Sequence, residues 1–175
     1  MATAPDQPVV VLDRAGPMPL LGLGTWQMTG ARCQAAVREE GLARAVGVSN
    51  YSIAQLDGLT TATGEAPQVN QVPWAPSRYD AAVLAEHRRR GVVLEGYSPF
   101  KNTDLRHPVL IEIAARHGVT PAQVVLRWHL DHQVVVIPKS ATPERIAANF
   151  DVFGFSLSAE ELGSIDGLSR TGRRR

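Results

Sequence analysis

The chain has 175 residues, of which 44% are hydrophobic and 20% charged, and its 18 basic and 17 acidic side chains leave a net charge of +1. That composition suits one globular domain with a sizeable core and excludes wholesale disorder. The balanced charge also lacks the basic face of a nucleic-acid binder. Cys33 is the only cysteine, which rules out an internal disulfide and any CxxC metal or redox motif.

The first residues, with Asp6 and Pro8, hold no apolar run of signal-peptide length, and no stretch approaches the roughly 20 apolar residues of a bilayer span. A cytoplasmic location without a membrane partner is the expectation. Arg88 to Arg90 and Arg173 to Arg175 read as a solvated face and a basic end, and the sequon Asn50-Tyr51-Ser52 as accidental.

Two short apolar runs, Val9 to Leu12 and Pro19 to Leu23, flank the turn residues Asp13-Arg14-Ala15-Gly16-Pro17 and predict a β-hairpin. Ala31 to Arg44 is charged and helix-favouring, and Ala45 to Val48 reads as a strand ending at Ser49-Asn50. Ser52-Ile53-Ala54-Gln55 is a capping box that opens a helix. Val69 to Val72 is the next strand, Ala81 to Arg90 a helix stopped by Gly91, and Val92 to Tyr97 another strand. Thr120-Pro121-Ala122-Gln123 opens a helix through Leu130, with proline at the favoured first position. Val134 to Ile137 is a β-branched run of the kind buried on both faces of a parallel sheet. Thr142-Pro143-Glu144-Arg145 and Ser158-Ala159-Glu160-Glu161 begin the last two helices. Such alternation predicts an α/β fold with parallel strands and covering helices, in one domain spanning 1–175.

Two nucleotide signatures are missing. Gly22 and Gly24 begin like a dinucleotide fingerprint, but Gln27 stands where the third glycine belongs, and there is no GxxxxGK[ST]. What remains is a series of polar residues where predicted strands end: Ser49 and Asn50, Gln71, Tyr97-Ser98-Pro99, and Lys139-Ser140. In parallel barrels, ligands bind at these carboxyl ends. Amides and hydroxyls there can hydrogen-bond a carboxamide, Tyr97 offers a flat ring, and Lys139, Ser140 and Arg145 surround a helix start that attracts phosphate. Each residue alone reads as structural; the ordered series points to a ligand.

Leu21-Gly22-Leu23-Gly24-Thr25-Trp26, Val46-Gly47-Val48-Ser49-Asn50-Tyr51, Val69-Asn70-Gln71-Val72, Gly96-Tyr97-Ser98-Pro99-Phe100 and Val136-Ile137-Pro138-Lys139-Ser140 resemble consecutive motifs of the aldo-keto reductase family, in its 2,5-diketogluconate reductase-like variant. Thr142 to Phe150 continues the resemblance. It implies a (β/α)8 TIM barrel that moves hydride between NADPH/NADP+ and a small-molecule aldehyde or ketone. By that resemblance, Ser49, Asn50 and Gln71 hold the nicotinamide carboxamide and Tyr97 stacks on its ring. The backbone of Ser98, Pro99, Phe100 and Lys101 lines the pyrophosphate. Lys139, Ser140 and Arg145 grip the 2′-phosphate, Asn149 lies near adenine, and Thr25 and Trp26 border the nicotinamide and substrate.

The chain also departs from the family's pattern. Ala148 and Pro73 stand where relatives carry glutamates, and the substrate-shaping C-terminal loop is expected to be short or absent. By the same resemblance, Ala31 to Glu39 looks like the family's first barrel helix and Glu40 to Arg44 like the end of its fourth, which implies an in-frame loss between Glu39 and Glu40. The expectation is therefore a partial barrel lacking about three βα units of a fold that typically takes about 250 residues. Its hairpin and first strand (1–39) join the second half of the barrel (40–175) directly. The absent strands would hold the family's catalytic aspartate, tyrosine, lysine and histidine. No substitute set is found among Tyr51, Tyr79, Tyr97, Lys101, Lys139 and the five histidines. The catalytic and metal sets are thus expected to be empty.

Five remaining strands are too few to close around packed side chains, so an open curved sheet is predicted, with edges at strands one and five that invite a second copy. Three functions follow. The chain is a reductase remnant with little or no turnover, a non-catalytic NADP(H)-binding or interaction module, or a genuine reductase that uses bound NADPH without the usual acid or is completed by a partner chain supplying the missing strands.

Overall fold

The computed structural model describes residues 9–12, 16–19 and 47–169. The expected first barrel strand and helix, Cys33, the Glu39–Glu40 junction, Thr25 and Trp26 lie outside the described residues.

Strands β1 (Val9–Leu12) and β2 (Gly16–Pro19) form an antiparallel hairpin, with Leu12 opposite Gly16 and Val9 opposite Pro19. This corrects the predicted second strand, which was placed at Pro19 to Leu23. The register pairs Leu12 with Gly16 and Val11 with Pro17, drawing Gly16 and Pro17 into the ladder instead of the turn. A two-stranded ribbon tolerates proline because each strand is an edge.

The remaining strands, β3 (Gly47–Ser49), β4 (Val69–Pro73), β5 (Val93–Tyr97) and β6 (Val135–Ile137), form one parallel sheet in chain order. Sequential order without a reversal is the arrangement of a barrel wall; a doubly wound sheet would reverse at a switch point. The fold is thus α/β, a partial barrel, as predicted. Helices α1 (Ile53–Thr63) and α2 (Ala81–Arg89) make the first two crossovers, and α3 (Pro108–His117) and α4 (Pro121–Asp131) together make the third. Helices α5 (Pro143–Phe150) and α6 (Ala159–Asp166) follow the last strand.

Local sequence explains most helix starts. Ser52 with Gln55, Thr120 with Gln123, and Ser158 with Glu161 close reciprocal capping boxes, satisfying amides that a helix start leaves orphaned. Helix α3 was not anticipated. Its start is capped by the His107 ring, which accepts from the Val109 amide, and its end by Gly118 at φ +67°. Histidine is not among the usual caps, which hid the boundary.

Alternation along β4 and β5 divides the sheet into two faces. Asn70, Leu94 and Gly96 face the helices, where a Cβ on Gly96 would lie 2.9 Å from Trp74 Cβ and 3.4 Å from His129 Cδ2. Trp128 is fully buried there, edge-on to Tyr79, His129 and His132, with its indole N–H donating to Asp166 at 2.8 Å. Leu110, Ile113, Val124, Val125 and Ile165 complete this core. The run Val134 to Val136 is buried as predicted. On the other face, Ser49, Gln71 and Glu95 share one row, and Tyr97 follows two residues beyond.

Candidate functional site

All four strands of the sheet run in one direction, so their carboxyl ends gather at one rim. Directly after β3, Asn50 turns the chain in the left-handed region, φ +61°, a conformation asparagine accepts more readily than most residues. Its backbone N–H donates to the Gln71 carbonyl at 2.9 Å, and the Ser49 hydroxyl donates to the same oxygen at 3.0 Å. The Asn50 Nδ2 donates to Ser49 Oγ at 3.1 Å, while its Oδ1 accepts from the Tyr97 hydroxyl at 3.1 Å. Gln71 Nε2 in turn donates to the Glu95 carboxylate. Ser49, Asn50, Gln71 and Tyr97, named separately from the sequence, therefore form one hydrogen-bonded rim across β3, β4 and β5. Each of these bonds also restricts a neighbour: the Tyr97 ring is held at its hydroxyl, yet it enters none of the aromatic pairs formed among the described residues.

Beyond β5 the chain turns sharply. Ser98 takes φ +55°, and Lys101 N–H closes on its carbonyl at 3.0 Å. A non-glycine residue held there stores backbone strain of the sort that clusters at ligand sites. Pro99 is buried, Phe100 packs against both core clusters, and Lys101 is exposed. Tyr97 pairs with Ile137, so Lys139 and Ser140 leave the neighbouring strand at the same rim. Ser140 Oγ accepts from the Thr142 amide at 3.2 Å just before α5. Lys139 and Arg145 are exposed, whereas Asn149, four residues beyond Arg145 on α5, is 9% exposed and turned inward. Lys139, Ser140, Arg145 and Asn149 thus gather at the end of β6 and along α5, apart from the bonded rim network.

Two polar residues escaped the sequence analysis. Glu95 is the only charge in the run Val92 to Tyr97, which was its signal, but its partner lies on another strand. Asn70 is fully buried: its side chain bonds both the N–H (3.2 Å) and carbonyl (2.9 Å) of Tyr51 and meets His87 Nε2 at 3.0 Å. It ties the turn after β3 to β4 and to α2, and so holds Asn50 in place.

The pattern of the aldo/keto reductase family matches residues 26–170, most of the chain and every one of these strand ends. The chain belongs to the aldo/keto reductase family. Among curated relatives, the 2,5-diketo-D-gluconic acid reductase B of Corynebacterium sp. (strain SHS752001) is 43% identical over 158 residues, covering 88% of this chain and 55% of the relative. The methylglyoxal reductase DkgA of Escherichia coli (strain K12) is 40% identical over 137 residues, covering 77% of this chain and 50% of the relative. A solved structure, that of a Gox0644 mutant in complex with NADPH, superposes with a TM-score of 0.73 at 37% identity, over 77% of this chain and 50% of that one. The chain spans about half the length of the curated relatives it matches. Among the described residues, no helix is long and apolar enough to cross a membrane, and no group of His, Cys, Asp or Glu side chains could hold a metal ion.

Proposed function

We propose that this chain is the cofactor-holding part of an NADP(H)-dependent aldo/keto reductase, with little or no turnover of its own. One observation carries the proposal: the bonded rim of Tyr97, Asn50, Ser49, Gln71 and Glu95 across three adjacent strand ends. Those bonds leave the Asn50 amide a spare N–H and the Gln71 amide a spare oxygen, the complement of a carboxamide. The Tyr97 ring beside them suits stacking on a flat heterocycle. Lys139, Ser140 and Arg145 flank the start of α5, where cationic side chains and a helix N-terminus suit a phosphate. The residues present therefore fit NADP(H), which when bound supplies or accepts hydride. Ser98 to Lys101 would line its pyrophosphate and Asn149 its adenine side. Thr25 and Trp26 would complete the nicotinamide wall.

The same proposal treats residues 1–175 as one domain in which 1–39 run directly into the second half of the barrel, so that the family's proton-donating residues are absent. Small carbonyl compounds would be substrates only of a completed barrel. A barrel short of its full strand set leaves open sheet edges, and edges of that kind suit a second copy. A dimer on size-exclusion chromatography is expected; a monodisperse monomer overturns self-association.

Fluorescence titration separates a cofactor site from a collapsed remnant. NADPH is expected to bind saturably and more tightly than NADH. Arg145→Ala should remove most of that preference, roughly 10–100-fold for one charge-assisted phosphate contact. Failure of both dinucleotides to saturate, or equal affinity for the two, contradicts the proposal.

A further inference from the structure

We propose that Glu95 is a positioning residue that fixes which end of the Gln71 amide faces a bound nicotinamide. It would thereby select for a ring substituent carrying an N–H donor. This rests on the NADP(H) reading above. The register places Ser49, Gln71 and Glu95 in one row on the face turned away from the helices, with Val135 next on the far side. Val135 is 2% exposed and apolar, so it offers Glu95 nothing to bond. Among the described residues the one hydrogen-bond donor to the Glu95 carboxylate is Gln71 Nε2, and Glu95 enters no ion pair.

The direction of this bond follows from chemistry. A carboxylate only accepts, whereas a primary amide has a donating and an accepting end. Gln71 can satisfy Glu95 only by turning its NH2 toward it; the reversed amide would set oxygen against oxygen. Its Oε1 is therefore left facing away from Glu95 as an acceptor. Asn50 is oriented just as firmly from the other side, since Tyr97 donates to its Oδ1 and its Nδ2 donates to Ser49. The rim then presents a donor on Asn50 beside an acceptor on Gln71. A half-buried carboxylate in a strand is costly unless its bonds offset the lost hydration. Orienting Gln71 gives this one a purpose that neither core packing nor a surface ion pair supplies.

The experiment compares three ligands by titration. They are NADPH, its reduced 3-acetylpyridine analogue, which keeps the carbonyl but replaces NH2 with methyl, and adenosine 2′,5′-bisphosphate, which lacks the ring. The unaltered chain is expected to prefer NADPH over the analogue by about tenfold, the worth of one hydrogen bond. In Glu95→Gln, whose side chain can donate or accept, the preference should shrink to about twofold while bisphosphate affinity stays constant. Glu95→Asp, which keeps an acceptor-only group, should recover most of it. An undiminished preference in Glu95→Gln overturns the proposal. A parallel loss for all three ligands also overturns it, because it marks a structural role. If the unaltered chain binds the bisphosphate but shows no preference, only the Glu95 assignment fails; if it binds none of the three, the cofactor reading fails with it.

Discussion

With saturating NADPH and a reactive aldehyde, this chain is expected to consume NADPH no faster than a protein-free control. Hydride arriving at a carbonyl carbon drives negative charge onto oxygen, and an acid must meet it; losing that acid alone typically costs about 10²–10⁴-fold. Among the described candidates, Tyr79, Tyr97 and the five histidines are engaged elsewhere. Tyr97 donates its hydroxyl proton to Asn50. Tyr79 sits among the rings of Trp74, Trp128 and His132, where burial, and then the Asp166 carboxylate, push its phenol above the ordinary value and make it a poorer acid. His87 is buried against Asn70, His117 meets Glu161, His132 meets Asp166, and His107 caps α3. His129 is fully buried. Consumption well above the control, lost in Tyr97→Phe, would show that the rim supplies its own proton donor.

Acidification from about pH 6.5 to about pH 4 is expected to cost the fold roughly 3 kcal/mol through His129 alone. Burial pulls its imidazole down to about 4 from 6.5, outweighing the carbonyls of Val125 at 2.7 Å and Trp74 at 3.3 Å, which favour the charged form. Above pH 6.5 neither the folded nor the unfolded ring is protonated, and the effect vanishes. Between the two values only the unfolded chain takes up a proton, so stability falls with pH; below about 4 both do, and the loss is complete. That gap, at about 1.4 kcal/mol per pH unit, gives the figure. Glu161 extends the decline. Its burial opposes ionisation, but the Ser158 amide and the His117 ring prevail and hold its carboxyl near 2, so its contribution is present above about pH 4.5 and fades as pH falls toward 2. Melting temperatures across this range should fall more steeply for the unaltered chain than for His129→Gln. Parallel curves would mean that the buried imidazole does not resist protonation.

Local chemistry was legible in the sequence wherever donor and acceptor lie within one turn of each other. The capping box at Ser52, the helix starts at Thr120 and Ser158 and the β-branched run before Lys139 all form as expected. The hairpin's second strand slipped because an apolar run was weighed above the pairing register, and α3 escaped because a histidine serves as its cap. In the candidate site, the residue types at strand ends were legible, since chain order maps onto strand order in a singly wound sheet. Their bonding was not. The Tyr97–Asn50 bond joins positions 47 residues apart, and the Gln71–Glu95 bond depends on a register that places two side chains on one face. Neither distance nor face can be read from a list of letters.

Amide hydrogen exchange with and without NADPH tests most directly whether these strand ends form a cofactor cradle. Protection on adding NADPH is expected at 49–51, 71–73, 97–101 and 139–149, with the outer surfaces of α1 and α3 unchanged. Absence of protection at these strand ends, or uniform protection across the chain, would contradict the account.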